Sequence, residues 1–222
     1  MSNPARKVNS ELITVGILIF DDVEVLDVAG PFEVFSVTRL DEDKRDTTNS
    51  PFKICLLAEK SSAKYAIGGL KLMPDYAFDN CPNLDLFIVP GGWGTRAEIN
   101  NLRLVQKISN LSQKSLLTAS VCTGSSLIGK AGLLDGKKAT THWRAYSFLR
   151  NAAPNAIIKK NVLFTIDGKI FTSAGVTSGI ALALHLVSYF FGLKVGMATA
   201  KFMEFQYPHH NINLFHDGEN RE

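Results

Sequence analysis

Cysteine is scarce in this chain: Cys55, Cys81 and Cys122 are the three in 222 residues. An odd number without paired spacing excludes a disulfide framework and makes a reducing cytosol the simplest setting. Long apolar runs are missing too. The most apolar stretch, residues 180–191, is too short to span a bilayer and carries His185, so no membrane partner is expected. The opening MSNPARKVNSELITVG passes from a polar lead into an apolar strand, without the apolar region and small-residue cleavage site of a secretory signal. The formal charge of +3 is scattered, with no basic run of the kind that marks a nucleic-acid arm. No internal repeat, linker or low-complexity segment stands out. What is present is ordinary for a soluble domain, 45% hydrophobic and 20% charged. The length suits a single sheet with helices on both faces.

Along the chain, strands alternate with helices. Residues 14–20 (TVGILIF) form an apolar, β-branched run that ends at Asp21-Asp22, and a helix is expected from Pro31, with Phe32, Val34 and Phe35 covering the sheet. Residues 52–58, 84–89 and 115–121 read as further strands, residues 65–73 as a small hairpin around Gly68-Gly69, and 161–173 as a hairpin turning at Asp167-Gly168. Helices are expected over 98–111 (Ile99, Leu102, Val105, Ile108 and Leu111 on one face), 125–131, 143–151, 177–191 and 194–205, with a short strand near Ala139. Strands this apolar, separated by helices, predict a mostly parallel sheet covered on both faces. The expected organisation is a lead over 1–13, one domain over 14–206 and a polar tail over 207–222.

In an open parallel sheet, active groups gather at the carboxyl ends of the strands. Cys122 stands at such an end, followed by the small residues Thr123, Gly124, Ser125 and Ser126, which allow the sharp reversal of a nucleophile elbow. The helix that follows offers unpaired N–H groups and partial positive charge, which favour the thiolate. At a second strand end, Pro90-Gly91-Gly92-Trp93-Gly94 lacks side chains at three positions. Its N–H groups, with that of Thr123, are candidates for stabilising negative charge on a substrate, although the glycines equally suit a plain tight turn. After the first strand come Asp21, Asp22, Glu24 and Asp27. Asp27 lies between Leu26 and Val28, so it is either buried beside the reactive thiol as a general acid or base, or it caps the coming helix.

Four segments in this order, GILIFDDVEVLDVAGPFEVF, FIVPGGWG, SVCTGSSLIGKAGLLDGKKATTHW and SAGVTSGIALALHLV, resemble the ThiJ/PfpI superfamily, and within it the isonitrile hydratase branch. The likeness runs from about residue 15 to 205. A lone Cys-Thr-Gly carries little information; the ordered set is specific. The resemblance implies a flavodoxin-like three-layer sandwich, a glutamine amidotransferase-like fold that usually dimerises. It implies Cys122 as nucleophile, Asp27 as its acid/base partner and Thr123 as a neighbour supplying backbone and hydroxyl contacts. It also places His142 near the site, where, with Gly91, Gly92 and Trp93 as read from the residues themselves, it is a candidate for substrate or oxyanion contact. The implied reaction hydrates an isonitrile, a small electrophile, to an N-substituted formamide without metal or organic cofactor.

Two features depart from the wider pattern. Protease-like members place a histidine directly after the cysteine, where this chain has Thr123, so peptidase activity is not expected. Branch relatives often carry an aspartate where this chain has Ala181. Glyoxalase-like conversion of a dicarbonyl needs the same thiol and acid, but such members usually use a glutamate in the first turn. Similar domains also form the N-terminal half of AraC-like regulators; their helix-turn-helix region needs far more than the polar tail read here after Phe205, so a DNA-binding regulator is not expected. A stand-alone redox sensor built on Cys122 is the remaining alternative. For the rest, His142 suits a cap on the next helix as well as a site role, His185 and Cys55 read as core, Cys81 as an unactivated loop residue, Trp93 as a pocket wall, and His209-His210 as poorly spaced metal ligands.

Overall fold

The computed structural model describes residues 12–207. In chain order its strands are β1 (Ile13–Leu18), β2 (Phe52–Ala58), β3 (Lys64–Tyr65), β4 (Lys71–Leu72), β5 (Tyr76–Ala77), β6 (Leu86–Val89), β7 (Leu117–Ser120), β8 (Lys138–Ala139), β9 (Ile157–Ile158), β10 (Phe164–Asp167) and β11 (Ile170–Ser173). Its helices are α1 (Val25–Val37), α2 (Thr95–Glu98), α3 (Leu102–Lys114), α4 (Gly124–Lys130), α5 (Tyr146–Ala152), α6 (Ser178–Phe191) and α7 (Leu193–Phe202). Seven strands make one sheet in the order β10-β11-β7-β6-β1-β2-β5. Every pairing in it is parallel except β10 with β11, the hairpin that turns at Asp167-Gly168. Helices α1, α6 and α7 pack together as one layer, and α2, α3, α4 and α5 as the other.

The strands are apolar because both of their faces are covered. All four residues of β6 and of β7 are buried, as are five of the six in β1. The chain leaves β1 for β2 on one side and returns to β6 on the other, so the ends of β1 and β6 splay at a reversal of strand order. Such reversals open a crevice at the carboxyl edge of a doubly wound sheet.

Three expected elements differ in detail. Helix α1 begins at Val25, with Pro31 inside it. A proline there loses the bond to the carbonyl four residues back and crowds that carbonyl, and burial of Val28, Val34 and Phe35 holds the helix despite it. Phe35 stacks against Phe52 with ring centroids 4.7 Å apart, whereas Phe32 points outward, 38% exposed. The single helix expected over 98–111 is two, α2 and α3, because the Asn101 side chain accepts the Leu104 N–H and caps a fresh start. That start turns Leu104 inward in place of Leu102, which is 77% exposed. The segment expected as one helix from Trp143 opens with a 3-10 turn, Trp143–Ala145, before α5. The expected histidine pair at 209–210 and nearly all of the tail lie outside the described residues.

Candidate active site

The loops after β1, β6 and β7 meet at the crevice. Val23 bridges Gly92 in antiparallel fashion, Glu24 N–H donates to the Gly91 carbonyl (2.9 Å) and Gly94 N–H to the Asp22 carbonyl (3.0 Å). The two loops therefore behave as one floor. This lacing is what the glycines allow. A Cβ on Gly94 would stand 2.0 Å from the Asp21 carbonyl oxygen, and Gly92 takes φ +126°, where side chains are strained.

Cys122 sits at φ +55°, an unusual conformation for a residue with a Cβ, as a nucleophile elbow requires. Its backbone is pinned on both sides. The N–H donates to the Ala174 carbonyl (2.9 Å), and its carbonyl accepts from the hydroxyls of Thr141 (2.9 Å) and Ser125 (3.0 Å). Gly124 lets helix and strand close up, since a Cβ there would meet the Val89 carbonyl oxygen at 2.1 Å. The side chain is 8% exposed at the crevice wall.

Asp27 is wholly buried in the first turn of α1 and caps nothing. Its Oδ2 accepts the Gly91 N–H at 2.9 Å, across 64 residues of sequence. Its Oδ1 is buried without a partner at hydrogen-bonding geometry. Burial raises this carboxyl from 3.8 to about 8, helped by the charge of Glu24; the Gly91 and Val176 N–H groups and the facing Cys122 thiol pull it part of the way back. Near neutral pH, Asp27 therefore carries its proton.

The thiol departs from expectation. The Thr123 N–H and hydroxyl do draw it down, but burial and then the charge of Asp27 outweigh them and push Cys122 up to about 12. A helix end lowers a thiol where the sulfur is wet or beside a cation, and here it faces a carboxyl in a closed wall. Cys122 and Asp27 thus rest as a neutral thiol beside a neutral acid.

The glycine loop also does something other than expected. Gly91 N–H is committed to Asp27, and Gly92 N–H donates to Thr123 Oγ1 (3.0 Å). The Thr123 hydroxyl is held in turn by Thr95 Oγ1 at 3.1 Å, and Thr95 Oγ1 donates to the Gly92 carbonyl at 2.7 Å. These two N–H groups orient the acid and the elbow. The donors facing the sulfur are the Thr123 N–H and hydroxyl.

The crevice, about 400 Å³, is lined by Glu24, Trp93, Arg96, Cys122, Thr123, His142, Arg144 and Val176, among others. Trp93 forms a wall while remaining 65% exposed. His142 both lines the crevice and caps the following turn, its Nδ1 accepting the Arg144 N–H at 3.3 Å. Burial and then Arg144 lower its pKa, and the ring packs so closely on Gly175 that a Cβ there would come within 2.2 Å of Cδ2. Of the acidic group after β1, Glu24 joins Asp27 here, whereas Asp21 pairs with Lys64 at 3.2 Å on the surface. Ala181 is buried in α6 and does not line the crevice. Cys55 donates to the Val15 carbonyl in the core, Cys81 is half-buried, and His185 is half-buried against Phe164. Among the described residues, no three His, Cys, Asp or Glu side chains are grouped to hold a metal ion, and no helix is long and apolar enough to cross a membrane.

Sequence reasoning passed over Thr95, Thr141, Arg96, Arg144 and Val176. Thr141 lies in the same Thr-Thr-His-Trp segment as His142, and its signal was a hydroxyl two residues before a helix start. Val176 had none: its φ of +49° is a strained conformation for a β-branched residue.

A doubly wound sheet that brings a cysteine elbow, a buried carboxyl and a glycine loop to one switch point defines a cysteine-centred, flavodoxin-like α/β protein. The chain belongs to the DJ-1/PfpI family, whose model matches residues 13–189. An isonitrile hydratase from Pseudomonas putida is 33% identical over 194 residues, 87% of this chain and 77% of the hydratase. The HTH-type transcriptional regulator GbdR of Pseudomonas aeruginosa is 34% identical over 137 residues, 62% of this chain but 37% of the regulator. The crystal structure of a ThiJ/PfpI family protein from Pseudomonas syringae superposes with a TM-score of 0.78 at 25% identity, covering 93% of this chain and 82% of that one.

Proposed function

We propose that this protein hydrates an isonitrile to an N-substituted formamide through a covalent adduct on Cys122. The observation that carries the reading is the pairing of a buried, protonated Asp27 with the Cys122 thiol at the wall of a crevice of about 400 Å³. The similarity to an isonitrile hydratase over 87% of the chain supports it.

An isonitrile, R–NC, needs one proton and one nucleophile at the same terminal carbon. A neutral acid beside a neutral thiol supplies both without a free thiolate. Asp27 gives its proton to the carbon while the Cys122 sulfur bonds to it, and the thiol proton passes to the Asp27 carboxylate. The adduct is a thioimidate, R–N=CH–S–Cys122, with Asp27 again protonated. Water then adds to that carbon: Asp27 gives its proton to the nitrogen and takes one from the attacking water, so that it ends protonated again. The carbon–sulfur bond breaks to release R–NH–CHO, and the thiol is restored. In sum R–NC and one water give one formamide. The Thr123 N–H faces the sulfur and steadies it as it departs. The homodimer implied by the resemblance and the cytosolic setting expected from the cysteine usage belong to the same proposal, and sedimentation at micromolar concentration tests the first.

A redox-sensor reading is the weaker one, because a buried thiol held up near 12 presents little thiolate to peroxide. The test is formation of N-cyclohexylformamide from cyclohexyl isocyanide, followed by NMR, with wild type and Asp27→Asn side by side. Turnover by wild type, lowered ~100-fold or more in the variant, is the expected result. No formamide from wild type overturns the hydratase assignment.

A further inference from the structure

Arg96 and Arg144 both line the crevice that holds Cys122, and neither has a carboxylate partner among the described residues. Each guanidinium rests on a neighbouring indole: Arg96 Cζ lies 4.0 Å from the Trp93 ring centre, and Arg144 Cζ lies 5.5 Å from that of Trp143. Arg96 also approaches Phe148, at 5.4 Å. Stacking of this kind holds the planar fork in place and leaves its edge donors free for a planar, bidentate acceptor. The remaining ionisable groups lining the crevice are Glu24, Cys122 and His142, with the buried Asp27 against Cys122. Near neutral pH, Asp27 and Cys122 keep their protons, and His142 is neutral, so two fixed positive charges face the single negative charge of Glu24. A purely hydrocarbon isonitrile makes no use of that surplus.

We infer that the preferred substrates are isonitriles whose substituent carries a carboxylate, held by Arg96 and Arg144, so that the product is an N-formyl amino acid or a similar N-formyl anion. This inference rests on the hydratase reading and specifies its substrate class. The chemistry at the terminal carbon is unchanged: one water adds, and the carboxylate takes no part in bond making. Arg96, Arg144 and Cys122 line the same crevice, so one small molecule can meet both the arginines and the sulfur.

Isocyanoacetate and its neutral ethyl ester provide the comparison, because they differ in charge while sharing the reacting group. Wild type is expected to favour the acid over the ester by ~10-fold or more in kcat/KM. The ratio should shrink as ionic strength rises and fall toward one in Arg96→Gln/Arg144→Gln. A wild-type ratio at or below one, or a ratio that both substitutions leave intact, overturns the inference even if the ester and cyclohexyl isocyanide are hydrated well. If no isonitrile turns over, titration of N-formylglycine and its ethyl ester into Cys122→Ala decides separately. Preferential binding of the acid, lost in the arginine double variant, upholds an anion-selecting crevice; equal affinities overturn it.

Discussion

Asp27 and Cys122 act on each other unequally. Burial and then the Asp27 charge lift the thiol to about 12, whereas the facing thiol helps to draw Asp27 down against the burial that holds it at about 8. The pair is stable with both protons on, and the first proton to leave is that of Asp27.

Stability should carry that signature. The carboxyl titrates at 3.8 when unfolded and at about 8 when folded. The folded chain therefore binds more protons between those values, and stability falls as pH rises from about 4 to about 8, then levels off. Asp27→Asn keeps the Gly91 N–H bonded and removes the titration. Its Tm is expected to exceed that of wild type by roughly 5–10 °C at pH 8.5 and to converge with it near pH 4.5. A difference that does not change with pH, measured by calorimetry, would show that Asp27 is not the buried acid described.

Alkylation of Cys122 reads the coupling from the sulfur's side. With iodoacetamide at pH 9, Asp27 is ionised and suppresses the thiolate, so Asp27→Asn should label several-fold faster than wild type. At pH 6 the two should label alike, and slowly. Peptide mass spectrometry distinguishes Cys122 from the half-buried Cys81.

Gly91 leaves no room for a side chain. A Cβ there stands 2.5 Å from the Thr123 nitrogen and 2.9 Å from Asp27 Oδ2. Gly91→Ala must push the acid away from the elbow, at a cost of about 1–3 kcal/mol in stability and a fall of ~100-fold or more in kcat. Denaturant unfolding beside steady-state kinetics checks both.

Thr141 steadies the elbow through the 2.9 Å bond to the Cys122 carbonyl. Thr141→Val leaves a buried carbonyl with one fewer donor, costing about 1 kcal/mol, and is expected to lower kcat more than it raises KM. Thr141→Ser should restore most of the loss. A Ser variant as slow as the Val variant would point to packing and not to the hydroxyl.

The sheet and the elbow were legible because they obey local rules. Buried strands read as apolar runs, and the small residues after Cys122 announce a tight strand-to-helix reversal. What escaped was decided by burial, by a helix cap and by contacts between distant segments. Pro31 marks a helix start by local preference, yet burial of Val28 and Val34 on the same helix carries α1 back to Val25. Leu102 lies at helical spacing with Ile108, but the Asn101 cap restarts the helix and rotates Leu104 inward. The choice for Asp27 between capping and burial was open until a loop 64 residues away supplied the Gly91 N–H. The thiol was misread for the same reason: a helix end is visible in sequence, whereas the carboxyl and the closed wall around the sulfur are not. Resemblance placed Cys122, Asp27, Thr123 and His142 near one another; Cys122, Thr123 and His142 line one crevice with Trp93, and Asp27 is buried against Cys122. Resemblance did not foresee that the glycine N–H groups serve the acid and the elbow.

The central claim is that the sulfur of Cys122 bonds to the substrate carbon. Rapid-quench intact-mass measurement during turnover of cyclohexyl isocyanide tests it, read beside the rate of Cys122→Ala. The account predicts an adduct heavier than the protein by the mass of the isonitrile, located on the peptide containing Cys122, and no turnover in the alanine variant. Formamide production by Cys122→Ala at the wild-type rate would contradict it.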